Sequence, residues 1–221
     1  MSYTLKNIKE AVFTRQRNEI QGLVQGAVDE GLDPNSIIND GLIPAMDDIG
    51  EQFGKGEIFV PELLVSAMTM KLGLDIVKPL IKPEDIQSKG TIIMGTVKGD
   101  LHDIGKNIVI MMLEGAGFNV VDLGVDLTVE KLMEQVETLN PDLLGLSALL
   151  TTTMPEMERV IQELKAKGLR EKVKVMVGGA PVENAFAEKI GADGYGADAA
   201  DAVQLARRLI DEVREYPSIN G

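Results

Sequence analysis

From Gly90 onward, short β-branched apolar runs alternate with helix-length amphipathic stretches, and few folds accommodate that pattern. The runs fall at residues 91–97, 119–122, 143–147 and 173–177, with a shorter one near Gly194-Tyr195. Each has the length of a strand, and the longer ones are apolar enough to be buried on both faces. Strands that alternate with helices build a parallel sheet with helices on both faces, in a flavodoxin- or Rossmann-like order. This part of the chain is therefore read as α/β.

Residues before 80 carry helical signals only. Between 5 and 31, Ile8, Val12, Ile20, Leu23, Val24 and Val28 recur near the helical period, and Arg15-Gln16-Arg17-Asn18 offers a break into two helices. Asp33 then stands as a cap before Pro34 at a first helical position. The helical pattern continues through 37–53, Gly54-Lys55-Gly56 makes a turn, and Pro61 opens another apolar helix reaching about Val77. Short helices joined by short turns predict an antiparallel helical bundle over residues 1–80. The two prolines and mixed charges between Lys78 and Asp85 read as a semi-rigid linker, bounded at 81–89, before an α/β domain over 90–221.

Composition narrows the chemistry. The chain has 221 residues, no cysteine and one histidine. Disulfides, thiolate metal sites, cysteine nucleophiles and multi-histidine metal centres are thereby excluded. A formal net charge of −13 argues against nucleic acid and anionic membranes as partners, and permits docking to basic proteins. Aromatic residues make up 4% with no tryptophan, which leaves few rings for stacking on a base. Met1 through Lys6 lacks a basic-then-apolar leader and no apolar run approaches a membrane span, so a soluble, cytoplasmic protein is expected.

The single histidine stands at a telling place. Gly99-Asp100-Leu101-His102-Asp103-Ile104-Gly105 follows the first strand and precedes the apolar helical run Ile108-Val109-Ile110-Met111-Met112-Leu113. His102 thus lies on a loop at the carboxyl end of a strand, where open α/β sheets hold their ligands. Asp100 precedes it by two residues and Asp103 follows it directly. A carboxylate that accepts from one ring nitrogen fixes the tautomer and makes the other a better metal ligand. Alone, such a D-x-H-x-x-G arises by chance on many loops. Forty-one residues after Gly105 come Ser147-Ala148-Leu149, and twenty-eight after Leu149 come Gly178-Gly179.

Together, D-x-H-x-x-G, S-x-L and G-G at these separations resemble the cobalamin-binding module of methionine synthase and its relatives. The resemblance implies a cobalamin or related corrinoid laid over the sheet, its nucleotide tail drawn out and His102 as the ligand to cobalt. It assigns Asp100 as the carboxylate partner of His102. It places Thr153 where methionine synthase carries the serine of its His-Asp-Ser relay, a departure that keeps the hydroxyl. Gly99, Asp103, Ile104 and Gly105 are implied cofactor contacts, with a helix cap as the alternative for Asp103. Ser147, Leu149 and Thr151 are implied contacts to the tail. Gly178, Gly179, Ala180 and Gly196 flank its path, where the lack of a Cβ lets backbone approach the ligand. A tight strand-to-helix turn also accounts for the double glycine. Lys106 and Asn107 follow closely, at the ligand periphery or clear of it.

The segment Gly56-Glu57-Ile58-Phe59-Val60-Pro61-Glu62-Leu63-Leu64 resembles the helical cap of the same family, which covers the upper corrin face. Phe59, Val60 and Leu63 are its implied contacts, with bundle core as the alternative for each. Cap and cobalamin module together, over essentially the whole chain, are similar to the free-standing corrinoid proteins of methanol, methylamine, betaine and methyl-ether metabolism. That family implies a methyl-carrier subunit of one-carbon metabolism rather than a complete enzyme. Its cobalt cycles between Co(I) and methyl-Co(III), with histidine on and the tail base off. The implied partners are a substrate-specific methyltransferase, a second methyltransferase acting on a thiol or tetrahydrofolate, and a reductive activator. The alternatives are an adenosylcobalamin-dependent isomerase subunit, which usually lacks such a cap, and a cobalamin-dependent sensor, which adds a basic DNA-binding domain.

Overall fold

The structure is a computed structural model that describes residues 4–81 and 89–215. The first three residues and most of the expected linker, residues 82–88, lie outside the described residues. The chain divides into two compact units, one reaching to Ser88 and including Met111–Gly117, the other formed by Lys89–Ile110 and the chain from Phe118 onward.

The first unit is helical. Helix α1 (Leu5–Phe13) is capped by Thr4, whose hydroxyl oxygen accepts from the Asn7 N–H at 3.2 Å. The break before α2 (Arg17–Asp29) falls at Arg15, which takes the left-handed conformation with φ 64°. Asp33 caps the short α3 (Pro34–Ser36), its carboxylate accepting from the Ser36 N–H at 2.9 Å with Pro34 in the first turn. The helix expected over 37–53 is not uniform: Ile37–Leu42 is π-helical, with the Ile43 N–H bonded to the Ile38 carbonyl, before α4 (Ile43–Gly54) begins. Pro44 explains it. Proline has no N–H for the carbonyl of Asp40 and its ring crowds that group, so one extra residue is wound into the turn. Helix α5 (Val60–Val77) starts with the Glu62 carboxylate accepting from the Phe59 N–H at 2.8 Å. Helix α2 packs against α1 and α5, and Ile20, Val24, Leu63 and Met70 are among the residues buried there.

The second unit alternates as the sequence predicts. In chain order it holds β1 (Thr91–Thr96), α6 (Ile104–Gly115) as far as Ile110, β2 (Asn119–Asp122), α7 (Val129–Leu139), β3 (Leu143–Ser147) and α8 (Met154–Ala166). Then come β4 (Lys174–Gly178), α9 (Asn184–Ile190), β5 (Gly194–Gly196) and α10 (Ala199–Glu215). All strands are parallel in the order β2-β1-β3-β4-β5, the flavodoxin-like arrangement. Two strand bounds shift from expectation. Val97 leaves β1 and pairs singly with Leu127, and β4 starts one residue later because Lys174 pairs with Leu143 and Gly178 with Ser147.

The pleat divides the core. Ile93, Leu144, Leu146, Val175 and Val177 point into one cluster with Leu132 and Met133 of α7, Val160 and Ile161 of α8, and Ile190 of α9. The alternate positions, Ile92, Met94, Leu143 and Met176, are also buried, and α10 packs against β3, β4 and β5. Each fully buried aliphatic side chain contributes roughly 1.5–3 kcal/mol. A slip of one residue would exchange the two faces of a strand, so burial on both faces pins the register. Strands β1 and β3 are neighbours whose onward connections run in opposite directions along the sheet. Their carboxyl ends therefore bound a crevice at the switch point, and the single histidine stands at its lip.

Candidate functional site

The loop after β1 folds around its own first carboxylate. Asp100 Oδ1 accepts from the backbone N–H of His102 at 3.1 Å and lies 2.7 Å from His102 Nδ1. Oδ2 points across the crevice to the loop after β3. There it accepts from the N–H of Leu149 at 2.7 Å, the N–H of Leu150 at 3.3 Å and the hydroxyl of Thr153 at 2.8 Å. Asp100 is fully buried and Thr153 nearly so. Burial alone would push the Asp100 carboxyl up. The N–H groups of Leu149 and His102, then the imidazole and the Thr153 hydroxyl, outweigh it and hold the carboxyl well below the usual carboxylate range.

An ionised carboxylate only accepts, so His102 must donate from Nδ1, and in the neutral ring Nε2 carries the free lone pair. Nε2 makes no hydrogen bond among the described residues, and the ring is 52% exposed. Around it Leu101 and Ile104 are 70% and 77% exposed, with Leu149 and Leu150 partly exposed across the crevice. The site is one open imidazole on a loop whose neighbouring residues Leu101 and Ile104 are exposed aliphatics. Among the described residues no group of three or more His, Cys, Asp or Glu is placed to hold a metal ion. A metal taken by His102 must therefore bring its other ligands with it, as an ion enclosed in a flat organic ring does. The donor set and its apolar surround fit a corrinoid.

Four small residues extend the site along the sheet. The register pairs Thr96 with Ser147, Ser147 with Gly178, and Gly178 with Gly196, giving one row at the carboxyl ends of β1, β3, β4 and β5. The row lies on the face opposite the α7–α9 core, since Val97, Leu146, Ala148 and Val177 belong to that core. The double glycine has a reason within the fold, the strand-to-helix turn that the sequence also allowed. A Cβ on Gly179, whose φ is 128°, would stand 1.9 Å from the Ala148 carbonyl oxygen, and one on Gly178 would stand 3.2 Å from that of Gly196. These glycines serve the close approach of one strand end to the next. Gly105 differs, because a Cβ there would meet nothing within 4 Å.

The other expected residues fall into place individually. Thr151 and Ala180 are exposed at the loop tips after β3 and β4. Asp103 stands before α6 in a capping position, its carbonyl accepting from the Asn107 N–H at 2.8 Å and its carboxylate from the Asn107 side chain at 3.1 Å. Lys106 is buried, its ammonium 2.5 Å from Asp122. In the helical unit Phe59 is 68% exposed and Val60 is also exposed, whereas Leu63 is 1% exposed and belongs to the bundle core.

Sequence reading missed the braces of the histidine loop. Asp126 Oδ1 accepts from the Gly99 N–H at 2.7 Å, and the hydroxyl of the buried Thr96 donates to the His102 carbonyl at 3.0 Å. The available signal was Asp122-Leu123-Gly124-Val125-Asp126, a glycine between two carboxylates at a carboxyl strand end.

Comparison with known proteins agrees with this reading. One B12 binding domain family matches residues 90–204 and a second matches residues 4–78. The dimethylamine corrinoid protein 1 of Methanosarcina acetivorans is 44% identical over 93% of this chain and 97% of its own length. A cobalamin-binding protein from Desulfitobacterium hafniense superposes with a TM-score of 0.78 at 33% identity, covering 94% of this chain and 99% of that one. The methanol:cobalamin methyltransferase complex of Methanosarcina barkeri gives 0.83 at 33% identity, over 96% of this chain and 84% of the matched chain. Among the described residues no helix is long and apolar enough to cross a membrane. Matched in both its helical and its α/β unit, and along almost the whole length of its relatives, the chain belongs to the B12-binding corrinoid proteins.

Proposed function

We propose that this chain is the methyl-carrying subunit of a corrinoid-dependent methyltransferase system. It receives a methyl group from a substrate-specific methyltransferase and presents it to a second one acting on a thiol or on tetrahydrofolate, with a reductive activator as a third partner. The donor class is a small methylated amine or alcohol, as the names of the relatives suggest. When bound, the corrinoid supplies a cobalt centre that accepts and releases the methyl group. The observation that carries the reading is the His102–Asp100–Thr153 arrangement at the switch point.

Each residue then has a task. His102 offers Nε2 to the metal while Asp100 holds the ring proton on Nδ1. Thr153 stands 2.8 Å from Asp100 Oδ2 and 2.9 Å from the Leu150 carbonyl, and its one hydroxyl hydrogen serves only one of them at a time. Turned to Asp100, it draws charge from the carboxylate. Turned to Leu150, it returns that charge toward the imidazole. Leu101, Ile104 and Gly105 provide apolar, unobstructed surface beside the ring. Gly99 sets the start of the loop, and Ser147 and Leu149 with Thr151 border the nucleotide tail. Gly178, Gly179, Ala180 and Gly196 form the strand ends along which that tail lies, and the helical unit carries Phe59 and Val60 as exposed apolar residues.

The test is an ultraviolet–visible spectrum of the chain reconstituted with methylcobalamin, beside the His102→Ala variant. The expected result is stoichiometric binding with histidine on cobalt in the wild type and a base-off spectrum in the variant. A wild type that retains no corrinoid overturns the assignment, and strong preference for adenosylcobalamin replaces it with the isomerase reading.

A further inference from the structure

We infer that Asp126 and Thr96 are positioning residues for His102, fixing the loop in space so that its imidazole stands where a metal can reach it. The inference rests on the reading of His102 as the ligand. Asp100 sits only two residues from His102 on the same loop, so its bonds to the histidine set the ring relative to the loop and not the loop relative to the sheet. Asp100 Oδ2 ties the loop to the one after β3, and the loop's attachment to the β2–α7 segment falls to other groups. The Asp126 carboxylate accepts from the Gly99 N–H at 2.7 Å, and the Asp126 N–H donates to the Asp100 carbonyl at 3.0 Å. The two bonds run in opposite directions and clamp the chain just before the histidine. Thr96, fully buried at the end of β1, donates its hydroxyl to the carbonyl of His102 itself at 3.0 Å. The Thr96 backbone is in turn bonded on both sides to the segment that carries Asp126, through the Gly124 carbonyl at 3.0 Å and the Leu127 N–H at 3.1 Å.

Asp126 makes its clamp with a left-handed backbone, φ 54°, a conformation that non-glycine residues adopt only where the surroundings hold them. Beyond the histidine, Lys106 of α6 is buried against Asp122 of the same β2–α7 segment. The loop is thus held before, at and after His102 by groups that never touch the ring.

The experiment uses the full chain loaded with cob(II)alamin and labelled with nitrogen-15 histidine, which marks His102 alone because it is the only histidine. Electron paramagnetic resonance then separates a histidine nitrogen on cobalt from the cofactor's own base. Asp126→Gly keeps the left-handed backbone and removes the acceptor, whereas Asp126→Asn keeps both. Thr96→Val keeps the shape and removes the hydroxyl. Loss of one such hydrogen bond should lower the ratio of histidine-on to histidine-off protein about three- to tenfold in Asp126→Gly and in Thr96→Val, with Asp126→Asn within about twofold of wild type. Thermal unfolding of the cofactor-free variants provides the control. Variants that melt lower yet keep the wild-type ratio show a purely structural role and overturn the inference while the ligand reading stands. If Asp126→Gly does not fold, Thr96→Val decides alone. A wild type without the histidine signature overturns the ligand reading instead.

Discussion

The loop after β1 and the loop after β4 leave the same edge of the sheet, yet they keep their shapes by different means. In the first, a buried carboxylate gathers donors from its own loop and from the loop after β3. In the second, the missing side chains of Gly178 and Gly179 let neighbouring strand ends close up. One constraint is polar and can be weakened in steps. The other is steric and fails at once. A site that must hold a ligand and also let it go draws its adjustable parts from the first kind and its frame from the second.

The largest effect should come from the steric side. Gly179→Ala places a methyl group on the Ala148 carbonyl and asks an L-residue for a φ of 128°. A loss of roughly 4 kcal/mol or more is expected, checked by urea denaturation, and a wild-type midpoint would remove the steric half of the comparison.

The polar side should yield less and should depend on pH. Asp100→Ala strands the Leu149 N–H, at about 1–3 kcal/mol for an unsatisfied group, and leaves the Thr153 hydroxyl only the Leu150 carbonyl. Asp100→Asn keeps the shape and isolates the charge. The folded-state carboxyl is held below its unfolded value, near 3.9, so its contribution is full above about pH 4 and is lost as pH falls through the folded-state range. Urea titrations of wild type and Asp100→Asn across that range should therefore converge in acid and separate toward neutrality. A gap that widens in acid would reverse the assigned direction.

The smallest change sharpens the comparison further. Gly105 lies in the first turn of α6, has no left-handed φ and has open space where a Cβ would stand. Gly105→Ala should stabilise the cofactor-free protein by about 0.5–1 kcal/mol while weakening corrinoid affinity. Thermal melts and cofactor titration read the two separately, and movement of both in one direction would assign Gly105 to the fold.

Much of this was legible in the chain itself. The alternation after Gly90 predicts the parallel sheet, and His102, Asp100 and Thr153, grouped by the family resemblance, lie together. What was not legible depended on partners distant in sequence or on missing groups. The π-helical turn at Ile37–Leu42 follows from the N–H that Pro44 lacks, a defect no apolar periodicity reveals. The reason for Gly179 is Ala148, just beyond the end of β3. Helix α5 is apolar on most of its positions, so nothing in its pattern separates the buried Leu63 from the exposed Phe59 and Val60 near its start. Asp126 brackets a glycine with Asp122, and its left-handed backbone and its bond to Gly99 show what it braces.

The carboxylate of Asp100 divides its labour by atom. Oδ1 serves His102 alone, and Oδ2 serves only the loop after β3. Swinging the imidazole aside breaks one contact of the five and leaves the negative charge with four donors. No buried ion is abandoned, so the surroundings have no reason to rearrange. Detachment is then a local and reversible act: the socket outlasts the plug, and the ring returns to a mould that has kept its form.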